Sequence, residues 1–241
     1  MPPIRLDHIA IALPRIAEAP SALVAVLGGV PDQCRPSGVF RWATWTFVAG
    51  ATIEVLEPMG ADGFLHRFLA ARGRGIHHVT FKVPELAEAC ARAEQAGYDI
   101  VGRDESDPSW KEAFLHPKQA LGIVVQIVES DASAAPDPRL SVPPGLPDAP
   151  PPVGIIGLRL RAQSRQRALT QWSLVLGGAA SDGPAGGLVF RWPDSPMRLA
   201  VDIHPTAEEG PIALEITAER PIPSIDAAGA LLGIRLIPRS S

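Results

Sequence analysis

Short apolar runs, each bounded by glycine, proline or charged residues, recur along the chain in a fixed order. The first group predicts a strand at Asp7–Leu13 and a helix at Ile16–Leu27 stopped by Gly28-Gly29. Strands at Val30–Cys34, Val39–Val48 and Ala51–Glu57 complete it, the last two divided by a turn at Ala49-Gly50. The second group predicts a strand at His77–Val83 and a helix at Pro84–Ala96 stopped by Gly97. Strands at Tyr98–Gly102, Lys111–His116 and Ile123–Val128 then follow. The order is βαβββ, twice, with a linking helix expected over Gly63–Arg72.

A third group opens after a spacer rich in proline, with Pro136, Pro138, Pro143, Pro144, Pro147 and Pro150 to Pro152, which favours an extended connection. Beyond it, Trp172-Ser173-Leu174-Val175-Leu176-Gly177-Gly178 parallels Leu23-Val24-Ala25-Val26-Leu27-Gly28-Gly29. Val189-Phe190-Arg191-Trp192 copies Val39-Phe40-Arg41-Trp42 letter for letter. Leu199–His204 supplies the last strand of a third module, and Ile212–Ala218, Ile225–Leu232 and Ile234–Ile237 begin a fourth that stops after βαβ. The expected fold class is therefore α+β, with paired βαβββ modules forming a cupped mixed sheet and a degenerate C-terminal copy. The expected division is residues 1–130, a linker at 131–152, and residues 153–241.

The repeat also carries chemistry. Leu6-Asp7-His8-Ile9-Ala10-Ile11 returns as Ile76-His77-His78-Val79-Thr80-Phe81, and Ile53-Glu54-Val55-Leu56-Glu57 is answered by Val125-Gln126-Ile127-Val128-Glu129. Alternate residues of a strand share a face, so His8 groups with Ala10 and Ala12, and His78 with Thr80 and Lys82; His77 faces the other way. Two imidazoles, a carboxylate and an amide oxygen suit one divalent ion of the Zn, Ni, Co, Mn or Fe(II) type, and argue against an all-oxygen calcium site. Four protein donors leave two positions for adjacent oxygens of a substrate. The third module lacks such a set, because Leu158 stands for the first histidine, Leu214 for the second, and Asp202 alone answers Glu54.

Bulk properties narrow the field further. With 22 Lys and Arg against 26 Asp and Glu, the net charge of −4 gives no footprint for nucleic acid or an acidic membrane. Cys34 and Cys90 have no partner motif and are read as reduced thiols. The absence of a signal segment or a long apolar run leads us to expect a cytoplasmic protein, monomeric or homodimeric.

These phrases, together with Gly75-Ile76-His77-His78-Val79 and Phe114-Leu115-His116-Pro117-Lys118 leading to Gly122-Ile123-Val124-Val125-Gln126, resemble the vicinal oxygen chelate superfamily of glyoxalases, bleomycin-resistance proteins and dioxygenases. Within it they look most like the methylmalonyl-CoA epimerases. The resemblance covers about half the chain and implies His8, Glu54, His78 and Gln126 as metal ligands. It implies a metal-dependent isomerase, epimerase or lyase that chelates vicinal oxygens of a small anionic oxo-acid, acyl thioester or hemithioacetal and stabilises an enolate. One position departs: after Gly38-Val39 the family's epimerases carry a glutamate base, and Arg41 stands there. Arginine stays protonated and cannot serve as a base, though facing inward it would anchor a substrate carboxylate or phosphate. Glu112, on the matching strand of the second module, is then the candidate base. Two alternatives stand beside this reading. One is a ligand-sequestering protein of the bleomycin-resistance type. The other is an Fe(II) extradiol-type dioxygenase, which takes a carboxylate in the last strand where this chain has Gln126.

Overall fold

The computed structural model describes residues 3–130 and 146–239. The part of the proline-rich spacer at residues 131–145 lies outside the described residues. The first module runs β1 (Arg5–Ala12), a 3-10 turn at Ile16–Glu18, α1 (Pro20–Leu23), β2 (Val30–Ser37), β3 (Phe40–Thr46) and β4 (Thr52–Pro58). After α2 (Phe64–Arg72), the second runs β5 (Gly75–Lys82), α3 (Leu86–Gln95), β6 (Ile100–Asp107), β7 (Trp110–Leu115) and β8 (Val124–Ser130). The third has β9 (Gly154–Ala162), α4 (Arg165–Leu169) continuing into a π turn at Thr170–Val175, β10 (Ala179–Asp182), β11 (Leu188–Arg191) and β12 (Arg198–Ile203). The fourth stops after β13 (Gly210–Thr217), α5 (Ile225–Leu232) and β14 (Leu236–Pro238). The fold is thus α+β and strand-rich, in three and a half modules. The first helix is broken where a continuous one was expected, because Pro20 removes an amide donor and opens a new turn. Strands β2 and β6 are longer than expected, since pairing with their neighbours extends them past the apolar signal.

Strands β1 to β8 lie in the order β2-β3-β4-β1-β5-β8-β7-β6, and β9 to β14 in the order β10-β11-β12-β9-β13-β14. In each of the first two modules the first and last strands pair in parallel with the same register. His8 lies against Thr52 and Ala10 against Glu54; His78 lies against Val124 and Thr80 against Gln126. The pairing ends alike, with Leu13 N–H donating to Leu56 O at 2.9 Å and Val83 N–H to Val128 O at 2.8 Å.

The second acid of each repeated phrase has a structural task. Glu57 Oε2 accepts the Ile16 amide at 2.7 Å, and Glu129 Oε2 accepts the Leu86 amide at 2.8 Å. The residues preceding those helices, Arg15 and Glu85, are extended and make no side-chain cap. The cap comes instead from the last strand of the module, which ties helix to sheet. Hydrogen bonds from Leu86 and Lys111 hold the Glu129 carboxyl below its ordinary range.

The third module corrects two alignments. Gly29 N–H donates to Leu23 O at 2.7 Å and Gly178 N–H to Trp172 O at 2.8 Å, so the double glycines are equivalent. A Cβ on Gly29 would meet the Phe47 ring at 2.6 Å, and one on Gly178 the Trp192 ring at 2.7 Å. Trp192 therefore answers Phe47, not Trp42, and the shared Val-Phe-Arg-Trp letters occupy different places. Counting from there, Arg198 answers Thr52, since Arg191 faces Arg198 as Thr46 faces Thr52. Arg198 lies against Gly157 and Ala200 against Arg159. Gly157 and Ala200, rather than Leu158 and Asp202, hold the places of His8 and Glu54. Leu158 and Leu214 are fully buried, and Asp202 is paired with Arg159. The third module offers no donor at either position.

Contacts gather into two units. One joins residues 3–7 and 78–130 to 157–212; within it Arg92 Nε donates to Val175 O at 2.9 Å and Arg167 Nη2 to Gln119 O at 3.1 Å. The other joins residues 8–77 to 146–156 and 213–239; within it Arg74 Nη1 donates to Leu231 O and Arg220 Nη2 to Val26 O, both at 2.8 Å. Each unit takes one module from either side of the spacer. Cys34 and Cys90 are free thiols. Among the described residues no helix is long and apolar enough to cross a membrane.

Two predictions follow from this packing. Glu57→Ala and Glu129→Ala should each lower stability by about 1–2 kcal/mol in urea unfolding, the usual worth of a cap. The Glu129 contribution should be present above the ordinary carboxyl range and fade as pH falls through it, because the native carboxyl is the harder one to protonate. A fragment of residues 1–130 loses every partner contributed from beyond the spacer. It should elute as a dimer or aggregate in size-exclusion chromatography with light scattering, and a stable monomer would contradict a packing role for residues 153–239.

Candidate metal centre

The parallel registers turn His8 and Glu54 to one face of the first module, and His78 and Gln126 to the equivalent face of the second. All four are buried, with 5–9% exposure. His8 Nε2 lies 3.6 Å from Glu54 Oε2, a charge-assisted contact when the imidazole is protonated and a natural donor spacing when it is neutral. One ligand atom each from His8, Glu54 and His78 lies within 4.8 Å of the other two. Buried charge is costly unless paired or bound to a metal, so this grouping of two imidazoles with a carboxylate is informative.

Gln126 sits in a defined network. The buried Thr80 hydroxyl donates to Gln126 Oε1 at 2.6 Å, and Gln126 Nε2 donates to Glu112 Oε2 at 2.7 Å. Trp110 Nε1 donates to the same Glu112 oxygen at 3.0 Å. The Lys82 ammonium stands 5.8 Å from the Trp110 ring centroid and pairs with Asp7 at 3.5 Å. Thr80, two residues beyond His78, was legible as sharing its face; its hydroxyl role and that of Trp110 were not, because both depend on the cross-strand register.

The two modules differ beyond the donors. Glu112 lies against Val128 as Trp42 lies against Leu56, so Trp42 is the counterpart of Glu112. In the first module that face is apolar: Trp42 and Phe40 pack with Ala10, Ala12 and Leu56 beneath Leu65, Phe68 and Leu69 of α2. Thr44, opposite Glu54, is occupied by the Gln33 amide and Asp32. His77 is turned away from His78 and packs between the Phe64 and Phe68 rings, where burial lowers its pKa to about 4.

Arg41 departs from expectation. It lies against Glu57, one residue out of phase with Trp42 and Thr44, which share the face of Glu54. Its side chain is nearly half exposed, 4.0 Å from the Glu57 carboxylate. An inward anchor would need the opposite face, and the strand's two-residue period denies it that.

Comparison with known proteins fits this geometry. Residues 7–114 match the family profile of the Glyoxalase/Bleomycin resistance protein/Dioxygenase superfamily. An ethylmalonyl-CoA/methylmalonyl-CoA epimerase from Cereibacter sphaeroides is 31% identical over 132 residues, which is 51% of this chain and 96% of that protein. The chain belongs to this superfamily. YqjC of Bacillus subtilis, an uncharacterised protein, is 30% identical over 52% of this chain and 91% of its own length. A solved variant of 4-hydroxymandelate synthase from Streptomyces coelicolor aligns with 96% of this chain and 76% of its own, at a TM-score of 0.63 and 14% identity. That likeness extends the fold across both sides of the spacer.

Because Arg41 is a half-exposed surface cation with one distant partner, Arg41→Ala should change stability by less than about 0.5 kcal/mol in urea unfolding. Bound metal should be unaffected. A loss of metal on that substitution would return Arg41 to the site.

Proposed function

We propose that this chain is a metal-dependent enzyme of the glyoxalase and epimerase type, with His8, Glu54, His78 and Gln126 holding one divalent ion. The observation that carries the reading is the buried grouping of His8, Glu54 and His78 within 4.8 Å, each from a position repeated between modules. Gln126 is the second module's counterpart of Glu54, sharing a face with Thr80, and we take its amide oxygen as the fourth donor. The donors fit a borderline divalent ion such as Zn, Ni, Co, Mn or Fe(II).

Such an ion would supply Lewis acidity, polarising neighbouring oxygens of a small oxo-acid, acyl thioester or hemithioacetal and stabilising the enolate left by proton loss. The protein's own share is positional. The two imidazoles and Glu54 are held by their strands, and burial excludes water that would compete for the same positions. The single carboxylate Glu54 keeps the centre cationic, which suits an anionic substrate. The relatives at about 30% identity that carry a named activity are epimerases of acyl-CoA thioesters, and proton transfer next to a thioester carbonyl is the reaction we assign first. Chain placement is expected to be cytoplasmic.

Elemental analysis of freshly purified protein should give one divalent ion per chain, and His8→Ala/His78→Ala should give none. Full metal content in that double variant would overturn the ligand set. Metal-loaded protein incubated with methylmalonyl-CoA in deuterated buffer should exchange the α-hydrogen faster than the free thioester. Tight binding of acyl-CoA without exchange would instead favour ligand sequestration.

A further inference from the structure

We propose that Glu112 is a positioning residue that fixes the Gln126 amide with its oxygen available to the ion; the inference rests on the metal reading above. A side-chain amide has two unlike ends, and only the oxygen coordinates a divalent cation. A lone glutamine is therefore a poorly specified ligand, because a half-turn about its last bond presents a donor where an acceptor is required. Here both ends are constrained. A carboxylate oxygen accepts, and Glu112 Oε2 takes the Nε2 end at 2.7 Å. The Thr80 hydroxyl donates to Oε1 at 2.6 Å, which marks the other end as the acceptor. Trp110, donating from its indole nitrogen at 3.0 Å, holds the Glu112 oxygen in place.

The charge matters as well as the direction. A carboxylate accepting from an amide N–H polarises the amide and raises electron density on its oxygen, as outer carboxylates do for ligating imidazoles. The first module needs no such support, because Glu54 is itself a carboxylate and either oxygen serves. Its counterpart of Glu112 is Trp42, packed against apolar neighbours. The orienting carboxylate occurs where the ligand is an amide and is replaced by an aromatic where the ligand is an acid.

Positioning and proton transfer are separate roles for Glu112, and metal affinity tells them apart. Both hydrogen bonds to Glu112 fall on Oε2, the oxygen turned toward Gln126 and Trp110. A positioning residue must act through the ligand and leave its trace on metal affinity.

The test is titration of the apoprotein with Co(II), followed by the visible absorption of the bound ion, for the wild type, E112Q, and the exchanged pair E112Q/Q126E. The amide introduced by E112Q accepts as well as donates, so the Gln126 orientation is no longer forced. Affinity should fall about 10- to 100-fold, the usual effect of losing an outer-shell partner, while the apoprotein keeps its melting temperature. The exchanged pair restores an acceptor facing a donor and supplies a carboxylate ligand, so it should regain most of the lost affinity. Unchanged affinity in E112Q, with wild-type protein binding one ion, would overturn the positioning role and leave the metal reading intact. Unchanged affinity together with lost α-hydrogen exchange would overturn it in favour of Glu112 as the base. Failure of the wild type to bind Co(II) would overturn both.

Discussion

Parallel pairing of the first and last strands within each module is the constraint on which the site depends. In each of the first two modules it places an imidazole and an oxygen donor one pleat apart on the same face. A slip of one residue would turn every donor to the opposite face and leave apolar residues in their place. Two features fix the register. The apolar set Ile9, Ile11, Ile53 and Val55, with its counterparts Val79, Phe81, Val125 and Ile127, is buried on the other face. The carboxylates of Glu57 and Glu129 then clamp the end of the last strand to the start of the helix. Glu54 and Glu57, three residues apart on alternating faces, thus divide two tasks between them: one faces the donor set, and the other secures the strand that presents it.

Duplication makes such a site inexpensive to specify and easy to lose. One module supplies half of the donors, so repeating it supplies a second imidazole and a second oxygen at matching positions. In the third module the strands still pair in parallel, but Gly157 and Ala200 stand at the donor places. The backbone is retained and the chemistry is gone. What remains beyond the spacer is packing: Arg92 and Arg167 join the second and third modules, and Arg74 and Arg220 the first and fourth, each through a backbone carbonyl.

Much of this was legible from residues alone, and the limits have physical causes. The βαβββ order, the repeated histidines and their oxygen partners show in the sequence because apolar periodicity and duplication reinforce each other. Letter identity misled at Val189-Phe190-Arg191-Trp192, since what the fold preserves is an aromatic ring on a glycine, Phe47 on Gly29 and Trp192 on Gly178. The facing of Arg41 was not legible because the facing of a residue in β3 is set by its register with β4, which the sequence does not state. The Thr80–Gln126–Glu112–Trp110 chain was invisible for the same reason, as it joins three strands. Helix α1 was overestimated because its apolar spacing survives the break at Pro20.

The central claim is that equivalent positions of two modules converge on one ion through two imidazoles and oxygen donors. X-ray absorption at the edge of the bound metal, in Co- or Zn-loaded protein, counts those donors directly. The account predicts two imidazoles with the remaining first-shell scatterers oxygen and none sulfur; a shell with one imidazole or none, or with sulfur from Cys34 or Cys90, would contradict it.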